Sequence, residues 1–217
     1  MFQNFLNLFT NPFADPATRW TVAITVGSIL LIAALLWSLR RLKLDTKTLV
    51  VASLTIAIAF VLSYLKFFSM PQSGSITPGS MLPIMMFAWF YGTLPGIAVG
   101  LAFGLLQLLL GATVVHPIQF FMDYMLAFMV LGFAGLFKKS LNLGIIITGL
   151  ARTAVHIISG FVFFAAYAGD QNPIIYSILY NATYLLPEII ICLIIYNIPS
   201  FKSNINKLYK PSQPLKR

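Results

Sequence analysis

The sequence predicts an all-α integral membrane protein, a six-helix bundle preceded by one additional transmembrane helix near the amino terminus. Of its 217 residues, 59% are hydrophobic and only 9% charged, against about 25% charged in an ordinary soluble domain. The apolar residues recur as runs along nearly the whole chain, more than one core can bury, so the bilayer must be their solvent. The formal charge of +9 is collected in short clusters between and after those runs. That is a topology signal and not the continuous basic face of a nucleic-acid binder. The single cysteine, Cys192, excludes a disulfide framework and a cysteine-built metal site.

A span needs roughly 20 apolar residues to cross about 30 Å of hydrocarbon. Seven runs qualify as candidates: residues 20–39, 48–67, 80–91, 94–110, 117–136, 143–167 and 174–198. The third is only about a dozen residues, below the usual minimum, and is expected to be tilted, deepened by the loop before it, or merged with its neighbour at the break near 91–95. The basic clusters are Arg40, Arg41, Lys43 and Lys47, then Lys138 and Lys139, then Lys202, Lys207, Lys210, Lys216 and Arg217. With seven crossings all three fall on one side, while the opposite loops hold only Lys66 and Asp170. Positive charge stays inside, which puts the amino terminus outside the cell and the carboxyl terminus in the cytoplasm. The first run carries its charges after it and not before, so it reads as a retained helix in preference to a cleavable signal peptide. Three regions follow: 1–44, an extracellular terminus and extra helix; 45–200, a six-helix membrane domain; and 201–217, a basic cytoplasmic tail.

Ionisable groups inside a membrane are costly and mark function. Four occur, Asp123, Arg152, His156 and Glu188. Helical rise places Asp123 and His156 each roughly 10 Å below the outer surface, with Asn181 at the same level. Three helices thus contribute a carboxylate, an imidazole and an amide to one layer. Gln119 and Asp123 share a face at i, i+4, as do Arg152 and His156, and Ser177, Asn181, Tyr184 and Glu188 form one polar stripe on the last span. Each has a structural alternative. Asp123 and Arg152 are candidates for a buried ion pair, and Arg152 is also within reach of Glu188. His156 has the option of a plain interhelical hydrogen bond. Glu188, behind the helix-bending Pro187, suits packing or gating.

Phe163, Phe164, Tyr167, Tyr176 and Tyr180 crowd the turn between the last two spans, and Tyr124 adjoins Asp123. Aromatic walls beside a carboxylate suit a flat organic cation. The loop MPQSGSITPGS at 70–80 is long enough for a lid, with Gly74 and Gly79 for flexibility. Ser53 with Ala57, and Thr55 with Ala59, make two small-residue faces on the second span, suited to internal packing or to docking on another membrane subunit. No GxxxxGK[ST] loop, HExxH or paired-cysteine motif is present. Around Ser159 the string IISG lacks the first glycine of GxSG, so an enzyme is not expected, nor is a cofactor. A self-sufficient proton-coupled secondary transporter, using Asp123, His156 or Glu188, stays open as the alternative to a binding subunit.

The strings MPQSGSI, GSMLPI, VHPIQFFMDYMLAF, HIISGFVFFAAYA and IYSILYNATYLLPE, in this order across residues 48–198, resemble the thiamine-specific S-components of energy-coupling factor (ECF) transporters, the YuaJ type of thiamine transporter. The first helix falls outside the resemblance. It implies a six-helix S-component body in a bacterial plasma membrane and a thiamine site beneath the loop joining its first two helices. It also implies partnership with a transmembrane coupling protein and two cytoplasmic ATPases. Carried over by position, the binding residues are Asp123, Tyr124, His156, Tyr176 and Asn181, with Arg152 at a basic position of the family. Phe164 stands where some members have tryptophan. Docking on the partner falls on Ser53 and Ala57, where the family usually has alanines.

Overall fold

The computed structural model describes residues 16–40 and 42–209. Arg41, Lys210, Lys216, Arg217 and the stretch before Pro16 lie outside the described residues. The chain divides into two units between Arg41 and Leu42. The first contains helix α1, Pro16–Leu39, followed by Arg40, whose guanidinium lies 4.6 Å from the Trp37 ring centroid.

The second unit begins with α2, Thr46–Tyr64, capped by Asp45, which accepts from the Thr48 N–H at 3.1 Å. This helix stops three residues short of the expected end, because Phe67 N–H bonds to Ile76 O at 2.9 Å and draws the chain into a hairpin. Strand β1, Phe68–Ser69, pairs antiparallel with β2, Ser75–Ile76. A 3-10 turn at Pro71–Ser73 joins them, with Gln72 and Ser73 in the left-handed region at φ 56° and 70°. The expected loop is therefore a structured hairpin.

Helix α3, Leu82–Tyr91, has ten residues and is about 15 Å long, half a bilayer core. The loop before it supplies the missing depth, since Thr77 and Ser80 both bond to Glu188 well inside the last span. Gly92, at φ 104°, separates α3 from α4, Thr93–Gln107, which a 3-10 turn extends through Leu108–Leu110. Helix α5 runs over Pro117–Leu136 as expected, but its pitch changes along the way. A π-helical segment, Phe121–Leu126, follows the first turn, and the end is 3-10 helix, Val130–Leu136. The π segment, a form that often marks functional sites, holds Asp123 and Tyr124. Close packing surrounds it: a Cβ on Gly104 would run into the Tyr124 carbonyl, and one on Gly100 into that of Phe128.

Helices α6, Leu141–Phe163, and α7, Pro173–Asn197, complete the bundle. Ser140 and Asn172 cap them, as their side chains accept from Leu143 N–H and Ile174 N–H. What the sequence suggests as a tail begins with a further helix, α8, Pro199–Leu208. Its apolar stripe, Phe201, Ile205 and the following Tyr209, packs on the core, and Tyr209 stacks on Trp89 with centroids 3.6 Å apart. The Trp89 carbonyl accepts from Lys138 Nζ at 2.7 Å, and partial burial pulls the lysine pKa below its ordinary value.

Five helices among the described residues are long and apolar enough to cross a membrane, α2, α4 with its turn, α5, α6 and α7. Helix α5 is the central post: 67% of its span is buried, against 22% of α2. On α2 the structure separates the two small-residue faces. Thr55 and Ala59 are buried in the bundle, whereas Ser53 and Ala57 are exposed.

Candidate functional site

At the hairpin end of the bundle a cavity opens among α5, α6, α7 and the loops above them. Asp123, Tyr124, Arg152, His156, Phe164, Tyr176 and Asn181 all line it. Phe163 and Tyr167 do not; Phe163 stacks instead on His116, centroids 4.9 Å apart.

The centre is a relay of polar side chains. Gln119 Nε2 donates to Asp123 Oδ2 at 2.7 Å, and Asp123 Oδ1 lies 3.0 Å from His156 Nδ1. Arg152 Nε donates to His156 Nε2 at 3.4 Å. Because Nε2 accepts in this arrangement, the ring proton belongs on Nδ1, facing the carboxylate. The ion pair of the structural alternative is thus replaced. Asp123 pairs with His156, while Arg152 sits with its guanidinium carbon 4.2 Å from the Phe128 ring centroid. The reason is reach: Arg152 lies one turn below His156 on the same face, and the imidazole stands between it and Asp123.

Gln119, 1% exposed, also braces the loop before α5. Its Oε1 accepts from Val115 N–H and its Nε2 donates to Thr113 O, each at 3.1 Å. Tyr124 holds the same loop, its hydroxyl accepting from Thr113 N–H at 3.0 Å. Asn181 Nδ2 donates to Ser177 O at 2.9 Å and to His156 O at 3.3 Å, while its Oδ1 accepts from Tyr184 OH at 3.0 Å. Of the three groups expected in one layer, the carboxylate and imidazole are bonded side chain to side chain, and the amide reaches His156 through its backbone carbonyl. Their spacing depends on Gly160, where a Cβ would meet Ser177 Oγ and lie 3.3 Å from Asn181 Nδ2. Gly160→Val is expected to force α6 and α7 apart and to lower stability by about 1–3 kcal/mol, the usual cost of overpacking. Thermal unfolding in detergent measures it.

Above the cavity, the loop is held at two levels. Glu188, 3% exposed, accepts from Thr77 N–H at 2.7 Å, Thr77 Oγ1 at 2.5 Å, Ser80 N–H at 3.0 Å and Ser80 Oγ at 3.2 Å. Nearer the surface, Tyr180 OH donates to Pro71 O and accepts from Gly74 N–H at 3.2 Å. Ser73 Oγ bridges to the loop before α5, 2.8 Å from Thr113 Oγ1. Tyr176 and Tyr180 stack at the rim with centroids 6.1 Å apart. Glu188 thus anchors the loop, in keeping with the packing or gating role expected for it in preference to that of a direct ligand. The partners Thr77 and Ser80 are not legible in the sequence, because a contact across 111 positions leaves no periodic signal.

A carboxylate, an imidazole and aromatic rims under a clasped loop have the chemistry that suits a cation with flat rings. Comparison with known proteins gives the same direction. Residues 49–207 match the family described as Thiamine transporter protein (Thia_YuaJ). The chain is 37% identical to the thiamine transporter ThiT of Bacillus subtilis (strain 168) over 147 residues, 59% of this chain and 76% of the relative. It is 29% identical to the thiamine transporter ThiT of Lacticaseibacillus paracasei (strain ATCC 334) over 139 residues, 54% of this chain and 69% of that one. A solved structure of ThiT from Listeria monocytogenes superposes with a TM-score of 0.65 at 26% identity, covering 73% of this chain and 96% of the other.

Proposed function

The chain belongs to the thiamine transporter family, and from that premise we propose that it is the thiamine-binding S-component of an ECF importer. It lies in the bacterial plasma membrane with its amino terminus outside and its carboxyl terminus in the cytoplasm. The observation that carries this reading is the Asp123–His156 pair in a cavity beneath a loop that Glu188 clasps. Thiamine supplies the matching chemistry, a positively charged thiazolium, a flat aminopyrimidine and a hydroxyethyl arm.

Asp123 neutralises the cation and, with Tyr124 and Asn181, holds the aminopyrimidine. Phe164 and Tyr176 contact the rings, and His156 with Arg152 serves the hydroxyethyl end. Asn181 is already committed to Ser177 and Tyr184, so its contact with the ligand exchanges the Tyr184 bond. The chemistry is binding and transport, not catalysis. Titration of the purified protein with thiamine, its two ring precursors and its phosphates, followed by intrinsic fluorescence, tests the reading. Saturable tight binding of thiamine is expected, and a flat titration sinks it.

Energy for transport comes from outside the chain, from a coupling protein and two cytoplasmic ATPases. The exposed Ser53 and Ala57 on α2 form the docking face, since close helix approach needs small residues pointing outward. Ser53→Trp combined with Ala57→Trp is expected to leave thiamine binding unchanged and to reduce uptake in cells holding the transport module by at least about tenfold. Equal uptake would remove the docking assignment. The competing reading, proton-coupled transport by the chain alone, draws on the same Asp123–His156 pair. Thiamine uptake into liposomes driven by a pH gradient, without ATPase subunits, would favour it.

A further inference from the structure

A second concavity, a groove of about 450 Å³, lies between α2 and α3 and is separate from the cavity above. Val51, Thr55, Ile58 and Leu62 of α2 form one wall, the i, i+4, i+7, i+11 series of a single helical face. Met86 and Phe90 of α3 and Phe201 of α8 help form the rest. Thr55 Oγ1 donates to Val51 O at 2.8 Å, so the α2 wall presents no free side-chain donor. Apart from Thr55 and Tyr91 the lining is apolar, which suits hydrocarbon better than hydrated or polar ligands. From Val51 to Leu62 the wall is about 16 Å long. One leaflet's share of the hydrocarbon core is about 15 Å.

Two lysines stand near the Val51 end, whereas Lys66, beyond Leu62 at the other end, lines the thiamine-site cavity. Lys47 lies one turn before Val51 on the same face of α2 and is exposed, and Lys202 directly follows Phe201. Lys202 Nζ donates to Asn197 Oδ1 at 2.8 Å and lies 5.6 Å from the Tyr196 ring centroid; among the described residues neither lysine is paired with an acid. Asp45, the acid at this end, caps α2 and also feels the charge of Lys47. An apolar slot about one leaflet long, with Lys47 one turn beyond its Val51 end and Lys202 next in the chain to its Phe201 wall, has the form of a phospholipid site.

We propose that the groove holds one acyl chain of an anionic phospholipid, with the headgroup phosphate drawn to Lys47 and Lys202. Ser53 and Ala57 fall on the opposite side of α2 at 100° per residue, so a bound lipid leaves that face clear. The site is independent of the thiamine reading, because it shares no residue with the cavity.

The test uses the full chain in nanodiscs of equal phosphatidylglycerol and phosphatidylcholine, transferred to detergent and weighed by native mass spectrometry. A single-lipid adduct is expected, with phosphatidylglycerol preferred by roughly tenfold, the scale of one or two lysine–headgroup contacts. Lys47→Gln with Lys202→Gln should bring the preference near unity. Ile58→Trp, a change at an exposed groove position, should remove adducts of both lipids while thiamine binding stays as in the parent. Absence of any adduct, adducts that persist in Ile58→Trp, or a preference indifferent to the lysines overturns the proposal. So does an Ile58→Cys label blocked only when the transport module is present, which would assign the groove to that module.

Discussion

Asp123→Ala is expected to weaken thiamine binding by roughly 10²- to 10³-fold, the range found when one member of a buried, hydrogen-bonded charge pair is truncated. The carboxylate has two jobs in this cavity. It offers the negative charge that balances a thiazolium from a side chain only 12% exposed, and it fixes His156 through Nδ1 at 3.0 Å. Asp123→Asn separates them, since it keeps the shape and loses the charge. If charge dominates, the asparagine variant will bind nearly as poorly as the alanine variant; if orientation of His156 dominates, it will recover much of the affinity. Calorimetric titration reads both. Parental affinity in Asp123→Ala would remove Asp123 from the site.

Glu188→Ala carries the second large effect. Four donors from Thr77 and Ser80 converge on this carboxylate, and leaving a buried donor unmade costs about 1–3 kcal/mol. Losing the acceptor removes the deeper of the loop's two anchors and leaves only Tyr180 and Ser73 to hold it near the surface. Thiamine dissociation should accelerate by roughly tenfold to a hundredfold, with association changed far less, because residence time is where lid contacts act. Glu188→Gln replaces one acceptor oxygen with a donor against donors, so it should fall between parent and alanine. Stopped-flow release and proteolysis of residues 70–80 measure the consequence. A Glu188→Ala protein with parental release and an equally protected loop would show that the clasp is not what closes the cavity.

Much of the site was legible because membrane chemistry punishes polar residues without a purpose. Asp123, His156 and Asn181 stood out as polar groups in apolar runs, and 1.5 Å of rise per residue was enough to set them at one depth. The runs also announced α5 over its full length. Other features gave weaker signals. The apolar run continues through Leu65 and Phe67 past the end of α2, and a backbone bond from Phe67 to Ile76 decides where helix yields to hairpin. Nothing in residues 121–126 distinguishes a π segment from an α-helix, since that choice rests on how closely α4 approaches at Gly100 and Gly104. Helix α8 was hidden by its polarity, for its stripe is only Phe201, Ile205 and Tyr209.

By itself, then, the sequence determined the membrane class, the approximate spans, the layer of ionisable groups and, through its motifs, the family. These follow from local quantities, hydropathy per window and rise per residue, which act on each segment alone. The tertiary structure decided partners. It paired Asp123 with His156 and left Arg152 over Phe128, turned Glu188 into the anchor of the loop, and sent Thr55 inward and Ser53 outward on the same helix. Those outcomes depend on distances between segments far apart in the chain, where direction of approach and competition for a few buried acceptors determine which bond forms.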